Sequence, residues 1–313
     1  RHKVIYDSAY FAISYPNGDV PANRGVCTDV VVRAYRRLGI DLPQQSEGAL
    51  EALRACAGDT PRTRPVVDRL PQEELVVGRG LSYTYPDGPT AVDGLDITLH
   101  RSEFVVILGA NGSGKTTAAL LLAQAMAPTA GEILIEGAPV DFACHRGCIA
   151  YVFQEPINQM VTMKVSEELA FGPKQLGWAQ TEIDRAVERE AARFGLALDE
   201  MPLHLSPAEA RKLAIAANLT MNPQVIILDE PTNNLDEADT ELLVAHLEAL
   251  RASGTTVVVI THDVELACAH ADRVIVIQRG RILTQGPTRE VMAQPELLGQ
   301  SDVVVPPIVS LSL

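Results

Sequence analysis

The sequence predicts an α/β fold in which buried parallel strands alternate with helices, preceded by a short segment of different character. Three observations carry that reading. From Leu81 onward, short apolar or β-branched runs, among them Phe104–Leu108, Val225–Leu228 and Thr255–Ile260, alternate with stretches of helical periodicity. Such runs are expected where helices cover both faces of a parallel sheet. The first run leads directly into a glycine-rich loop and a helical stretch, Thr117–Met126. Charge also breaks near residue 70: the first 70 residues balance at +2 and the remainder at −16, a shift that suggests two segments of different origin.

At 313 residues the chain suffices for one large domain or two smaller ones. A composition of 47% hydrophobic and 21% charged residues excludes a disordered or collagen-like chain. The net charge of −14 disfavours non-specific nucleic-acid binding, so no nucleic-acid partner is expected. No apolar run approaches the ~20 residues of a membrane helix. No secretory leader is visible, and the first residue is not Met, so trimming of the first residues is expected. The five cysteines, an odd number at irregular spacing, read as reduced structural thiols. Cys144 and Cys148 bracket His145, but a fourth ligand at zinc-site spacing is missing.

These features divide the chain into a partial N-terminal segment (1–56), a Pro- and Gly-containing linker (57–74) and a main domain (75–313). In the main domain, Phe104–Leu108 reads as a buried strand. It runs into Gly109-Ala-Asn-Gly-Ser-Gly-Lys-Thr116, which fits G-x-x-x-x-G-K-[ST] in the strand–loop–helix context that a phosphate-binding loop needs. Its glycines let backbone N–H groups converge on phosphate oxygens, and the helix start adds partial positive charge. Lys115 would reach the β- and γ-phosphates, and Thr116 would offer its hydroxyl to Mg²⁺. Tyr151-Val-Phe-Gln154 places a polar Gln after a short strand. Gln180–Phe194 carries apolar residues at helical spacing and reads as structural. Trp178 reads as packing or an interface anchor. Val225–Leu228 ends in Asp229 and Glu230, placed to hold Mg²⁺ through its shell and to polarise an attacking water. Thr255–Ile260 ends in Thr261 and His262, a candidate γ-phosphate sensor at the rim where open parallel sheets bind ligands.

Taken together, these residues resemble the ATP-binding-cassette (ABC) ATPases over about Leu75–Leu313. The resemblance implies a RecA-like core carrying the phosphate-binding loop, an antiparallel β subdomain and a helical subdomain at about residues 155–222. It also implies ATP and Mg²⁺ as ligands and ATP hydrolysis as the activity. In the family, Tyr85 would stack on adenine. Gly109, Asn111, Gly112, Ser113, Gly114, Lys115, Thr116 and Thr117 would hold the phosphates. Thr116, Gln154 and Asp229 would attend the metal, and Glu230, His262 and Gln154 would serve catalysis. Asn233-Asn-Leu-Asp236 resembles the D-loop. Within the family, Phe153-Gln-Glu-Pro-Ile-Asn-Gln159, Val165-Ser-Glu-Glu-Leu-Ala-Phe-Gly-Pro173 and Val305-Pro-Pro-Ile-Val-Ser-Leu311 look most like the energy-coupling factor ATPases of vitamin and metal-ion importers. That likeness implies integral membrane partners and a place on the cytoplasmic face of the membrane. Other ABC transporter subunits and a soluble ABC ATPase are the alternatives. A repair-type coiled coil has no room between Lys115 and Asp229, and a translation-type second cassette is absent.

One family motif is altered. Where members carry Leu-Ser-Gly-Gly-Gln/Glu, this chain reads Leu205-Ser-Pro-Ala-Glu209. In the family, Ser206 and its neighbours would contact the nucleotide of a second ATPase subunit. Pro207 removes an N–H, and Ala208 adds a Cβ where close approach is needed. Ser206 and Glu209 nevertheless fit a capping box with Pro at the first helical position, so the helix should start normally. An obligate heterodimer with unequal sites is the expectation.

The first 45 residues resemble the opening of an uncharacterised bacterial domain family related to papain-like cell-wall hydrolases. Cys27 would open an amphipathic helix, where a thiolate is favoured. No histidine follows before His100, so the base of a nucleophilic constellation is missing. A truncated remnant, a fusion accident and an artefact all fit, and Cys27 is expected to be structural.

Overall fold

Five parallel strands and one antiparallel edge strand make the central sheet of the main domain. The computed structural model describes residues 73–86, 88–140, 145 and 147–301, together with the backbone of Ile5–Tyr6 and Arg24–Gly25, two short strands that pair in parallel. Contacts group Arg1–Leu70 as one unit and Pro71–Leu311 as another. The helix expected from Cys27, most of the linker, Cys144 and the closing Val305–Leu311 lie outside the described residues.

The second unit opens with β1 (Glu74–Thr84) and β2 (Thr90–His100), followed by β3 (Phe104–Leu108), the glycine-rich loop and α1 (Lys115–Leu122). After β4 (Ala130–Ile135), β5 (Ala138–Pro139) and β6 (Ile149–Val152) come the helices α2 (Val165–Gln175), α3 (Gln180–Phe194) and α4 (Pro207–Leu219). The chain then alternates β7 (Val225–Asp229), α5 (Glu237–Ala252), β8 (Thr256–Ile260), α6 (Val264–His270) and β9 (Arg273–Gln278). It finishes with β10 (Arg281–Pro287), α7 (Thr288–Met292) and α8 (Pro295–Leu298). The central sheet runs β10-β9-β3-β8-β7-β6, with only β10 antiparallel to its neighbour. A second, antiparallel sheet runs β2-β1-β4-β5.

Strand alternation splits the core in two. Phe104, Val106 and Leu108 point to a cluster built with α2, α3, α4 and α5, whereas Val105 and Ile107 face α1 and the antiparallel sheet. A side-chain period of two on a strand buried on both faces produces this division. Hydrophobic burial on both sides therefore fixes where the strand ends lie.

Several boundaries differ from the sequence expectation, the strands after residue 220 by one residue each. Strand β1 already begins at Glu74, inside the expected linker, because Leu75 and Val76 are buried and Val76 pairs with both Leu99 and Ile135. Helix α1 runs over Lys115–Leu122, not Thr117–Met126. It opens on Gly114 in the left-handed region. It closes where Ala125 N–H and Met126 N–H both reach back to Leu120 O, at 2.9 and 3.3 Å, with Gln124 at φ +59°. Carbonyls at the helix end are satisfied by this reversal, and the helix cannot continue through it.

The helical excursion between β6 and β7 holds α2, α3 and α4 against one another. Helix α3 has the expected bounds and buries Ile183, Ala186, Val187, Ala191 and Phe194. Trp178 is partly buried against the same core, the first of the two roles, packing or interface anchor, that the sequence left open. Helix α4 starts on Ser206, whose Oγ accepts from Glu209 N–H at 3.3 Å while Ser206 N–H donates to Glu209 Oε2 at 2.9 Å. The capping box is thus complete despite the altered motif, and Pro207 occupies the first helical position.

Candidate functional site

The carboxyl ends of β3, β7 and β8 lie level. Ile260 pairs with Ile107 on one side and Asp229 on the other, so the residues after each strand emerge at one rim. From β3 the chain turns into the glycine-rich loop. Gly109 has φ +153°, and a Cβ there would stand 2.2 Å from Ile277 O; Gly114 has φ +101°, and a Cβ there would stand 2.3 Å from Ala91 O. Only glycine permits both the backbone angle and the close approach. The loop therefore wraps tightly and delivers its N–H groups to the start of α1.

Lys115 is buried, and its Nζ donates to Gly109 O at 2.7 Å and Ala110 O at 2.9 Å. Burial lowers its pKa from the ordinary lysine value, and Glu230 and Asp229 oppose that shift. Thr116 Oγ1 donates to Asp229 Oδ2 at 2.9 Å. Tyr151 Oη donates to the same oxygen at 2.9 Å. Burial raises the pKa of Asp229, and these two hydrogen bonds hold it down.

Glu230 sits at φ +44°, an unusual angle for a non-glycine residue, with its N–H donating to Ile260 O at 2.8 Å. The neighbouring strand thus supports a strained turn that aims the carboxylate into the cleft. Thr261 Oγ1 donates to Glu230 Oε2 at 3.1 Å, and His262 Nδ1 lies 3.1 Å from Oε1. That hydrogen bond raises the pKa of His262; burial acts against it, and the charges of Glu230 and Asp263 add to the rise.

These groups line a cleft of about 350 Å³. Tyr85, Asn111, Gly112, Gly114, Lys115, Thr116 and Thr117 form its loop side, and Gln154, Asp229, Glu230 and His262 face them. Asn233 joins from the turn after β7. Tyr85 is 42% exposed, its ring meets Tyr83 edge-on at 5.0 Å, and its hydroxyl lies 3.2 Å from Thr117 Oγ1. Gly109 and Ser113 back the loop: Gly109 accepts from Lys115, and Ser113 Oγ is buried without a hydrogen-bond partner. Ser206 lies apart, exposed at the start of α4, and is not among the residues of this cleft. Asp236 has a local task, accepting from Asp239 N–H at 2.8 Å as the N-cap of α5. No cluster of three or more metal-ligating side chains occurs among the described residues, and Cys148 and Cys268 are free thiols.

Sequence reasoning left out two residues that hold the carboxylates, Tyr151 and Thr261. The signal for Tyr151 is its register: it stands beside Ile227, two residues before Asp229, so both side chains share one face of the sheet. Thr261 follows its strand directly, as Glu230 follows Asp229.

Chemically, the cleft sets a positively polarised helix start and an ammonium against two buried carboxylates. An anion at the loop and a cation beside Asp229 would together satisfy both.

Comparison with known proteins agrees with this chemistry. Residues 92–233 match the family described as ABC transporter, and residues 1–55 match a domain of unknown function, DUF1287. The chain is similar to the energy-coupling factor transporter ATP-binding protein EcfA of Methanothermobacter thermautotrophicus, at 36% identity over 73% of this chain and 76% of that protein. It is also similar to the cobalt import ATP-binding protein CbiO of Rhodobacter capsulatus, at 37% identity over 76% of this chain and 88% of that one. Among solved structures, CbiO1 of Clostridium perfringens, part of the transporter complex CbiONQ, superposes with a TM-score of 0.65 at 31% identity, covering 77% of this chain and 99% of its own. A dimeric ATP-binding cassette in a post-hydrolysis state with ADP and Pi gives 0.62 at 26% identity, covering 69% and 99%.

The contact between His262 and Glu230 sets a pH expectation. Its stabilising contribution is fully present below the ordinary imidazole value of 6.5 and is lost as pH rises through the elevated folded value. In an NMR titration the His262 midpoint should lie above 6.5 and fall toward it in Glu230→Gln. A midpoint indifferent to that substitution would show that the hydrogen bond does not form in solution.

Proposed function

The chain belongs to the ABC transporter ATPase family, and we propose that it is the ATP-binding and ATP-hydrolysing subunit of an energy-coupling factor type importer, driving uptake of a vitamin or metal ion. One observation carries the reading: the phosphate-binding loop, Asp229, Glu230 and His262 converge on one cleft at the rim of the sheet. The names and extent of the relatives EcfA and CbiO support the energy-coupling factor assignment.

In this reading Tyr85, on the loop side of the cleft, takes the adenine ring. The N–H groups of residues 109–117 bind the phosphates, and Lys115 exchanges the carbonyls of Gly109 and Ala110 for phosphate oxygens. Thr116, Asp229 and Gln154 fit a magnesium ion, which when bound neutralises charge on the phosphate oxygens. Glu230 orients and deprotonates the attacking water. His262, held by Glu230, donates toward the γ-phosphate as charge develops. Thr261 keeps the Glu230 carboxylate turned into the cleft.

The partners follow from surface and motif. No helix among the described residues is long and apolar enough to cross a membrane; the likeness to EcfA and CbiO supports separate membrane subunits, with this chain bound peripherally at their cytoplasmic face. Phe153, Ile157, Val161 and Met163, all in the short stretch between β6 and α2, expose large apolar side chains and suit such a contact. Glu168 stiffens that stretch by accepting from Val161 N–H, Thr162 N–H and Thr162 Oγ1 at 3.1, 2.9 and 2.8 Å. A second ATPase subunit with an intact signature would complete one sound site with this chain's phosphate loop. The other site, facing Pro207 and Ala208, would be weak.

Lys115→Ala should abolish productive Mg-ATP binding, and Glu230→Gln should bind ATP but not turn it over. Nucleotide-binding and phosphate-release assays on the assembled transporter check both, and near-normal turnover by either variant would refute the assignment. The unmodified chain alone should hydrolyse ATP slowly, since one lost donor to the transferring phosphate can cost ~2.7–4 kcal/mol of transition-state stabilisation by analogy with oxyanion sites. Replacing Pro207 and Ala208 together by Gly should speed a self-associating chain. Brisk cooperative hydrolysis by the unmodified homodimer would rule out the unequal-site account.

A further inference from the structure

Asp229 is held from two directions, by a helix and by a strand. Thr116 approaches from the first turn of α1, and Tyr151 approaches from β6, the strand paired in parallel with β7. Both donate to Oδ2 at 2.9 Å. The Tyr151 backbone is fixed by the register of Ala150, Tyr151 and Val152 against Ile226, Ile227 and Leu228. Its ring meets Phe153 edge-on, with centroids 4.9 Å apart. Phe153 in turn is tied at both backbone groups: its N–H donates to Gln159 Oε1 at 3.0 Å, and its carbonyl accepts from Arg211 Nη1 of α4 at 3.1 Å. The phenol is therefore a rigid donor to a carboxylate whose other partner, Thr116, is itself read as a ligand of the ion.

We propose that Tyr151 is a positioning residue for the metal carboxylate: its hydroxyl fixes the rotation of Asp229, so that divalent-cation affinity in the nucleotide complex depends on a residue that touches neither metal nor nucleotide. The proposal rests on the reading of Asp229 as the carboxylate that attends the ion. Donors that orient a metal-binding carboxylate set the geometry and affinity of the site. A carboxylate left to Thr116 alone would lose that donor when the Thr116 hydroxyl turns to the ion, would rotate about its single Cβ–Cγ bond, and would present a less preorganised group. The chain leaves β6 after Val152 and reaches Gln154 three residues beyond Tyr151, so the edge-on pair of Tyr151 and Phe153 lies between the donor to the carboxylate and the glutamine that lines the same cleft.

The test uses the full chain with ADP, which excludes turnover, and Mn²⁺ as the probe, with bound and free ion separated by electron paramagnetic resonance. Tyr151→Phe keeps the ring and its contact with Phe153 and removes only the hydroxyl. It should weaken Mn²⁺ binding to the ADP complex about tenfold. It should also broaden the bound-ion signal and leave metal-free ADP affinity and the thermal midpoint near those of the parent chain. Asp229→Asn, measured alongside, separates the two layers. Loss of Mn²⁺ binding in Asp229→Asn with unchanged binding in Tyr151→Phe would overturn the role of Tyr151 and leave the carboxylate reading standing. Unchanged Mn²⁺ binding in Asp229→Asn would overturn both. Equal loss of metal-free ADP and Mn²⁺ affinity in Tyr151→Phe would show a structural role in place of the positioning one.

Discussion

Parallel pairing without slippage brings the ends of β3, β8 and β7 to one line, with Ile260 standing between Ile107 and Asp229. All three strands are buried along their whole length, so a one-residue slip would carry every side chain to the wrong face. Hydrophobic burial on two sides thus sets the positions of polar groups that have no packing role. The glycine-rich loop, the paired carboxylates and the histidine meet because the strands beneath them cannot shift.

The constraint has an electrostatic consequence. Asp229 and Glu230 are nearly inaccessible, 5% and 7% exposed, and each receives hydroxyl donors, from Thr116 and Tyr151 in one case and Thr261 in the other. Buried carboxylates that keep their charge need such donors and a compensating cation nearby. Lys115 supplies positive charge while resting on two carbonyls of its own loop. The cleft is therefore preorganised around charge, and its rigid parts come from the sheet. The loop adds backbone angles at Gly109 and Gly114 that only glycine adopts.

The sequence made the sheet, the loop and the paired carboxylates readable because each leaves a local mark: an apolar run followed by a fixed polar pattern. Helix α3 was legible residue by residue from its period, and the capping box of α4 from Ser206 and Glu209. The supporting donors were not legible. Tyr151 looks like an ordinary strand aromatic until the register with β7 places it beside Asp229. Arg211 looks like a charged residue on a helix until tertiary packing buries it and turns it to the Phe153 carbonyl. The end of α1 was misjudged because the reversal at Gln124 follows from backbone hydrogen bonding and leaves no glycine to mark it. Long-range contacts between strands decide these cases, and no local pattern encodes them.

The central claim is that this rim binds a nucleotide through the loop and a divalent ion through Thr116 and Asp229. A crystal structure of the full chain with ADP and Mg²⁺ tests it most directly. The account predicts Lys115 Nζ withdrawn from the carbonyls of Gly109 and Ala110 onto the β-phosphate, with the ion between Thr116 and Asp229. A nucleotide seated away from residues 109–117, or an ion held by other residues, would contradict it.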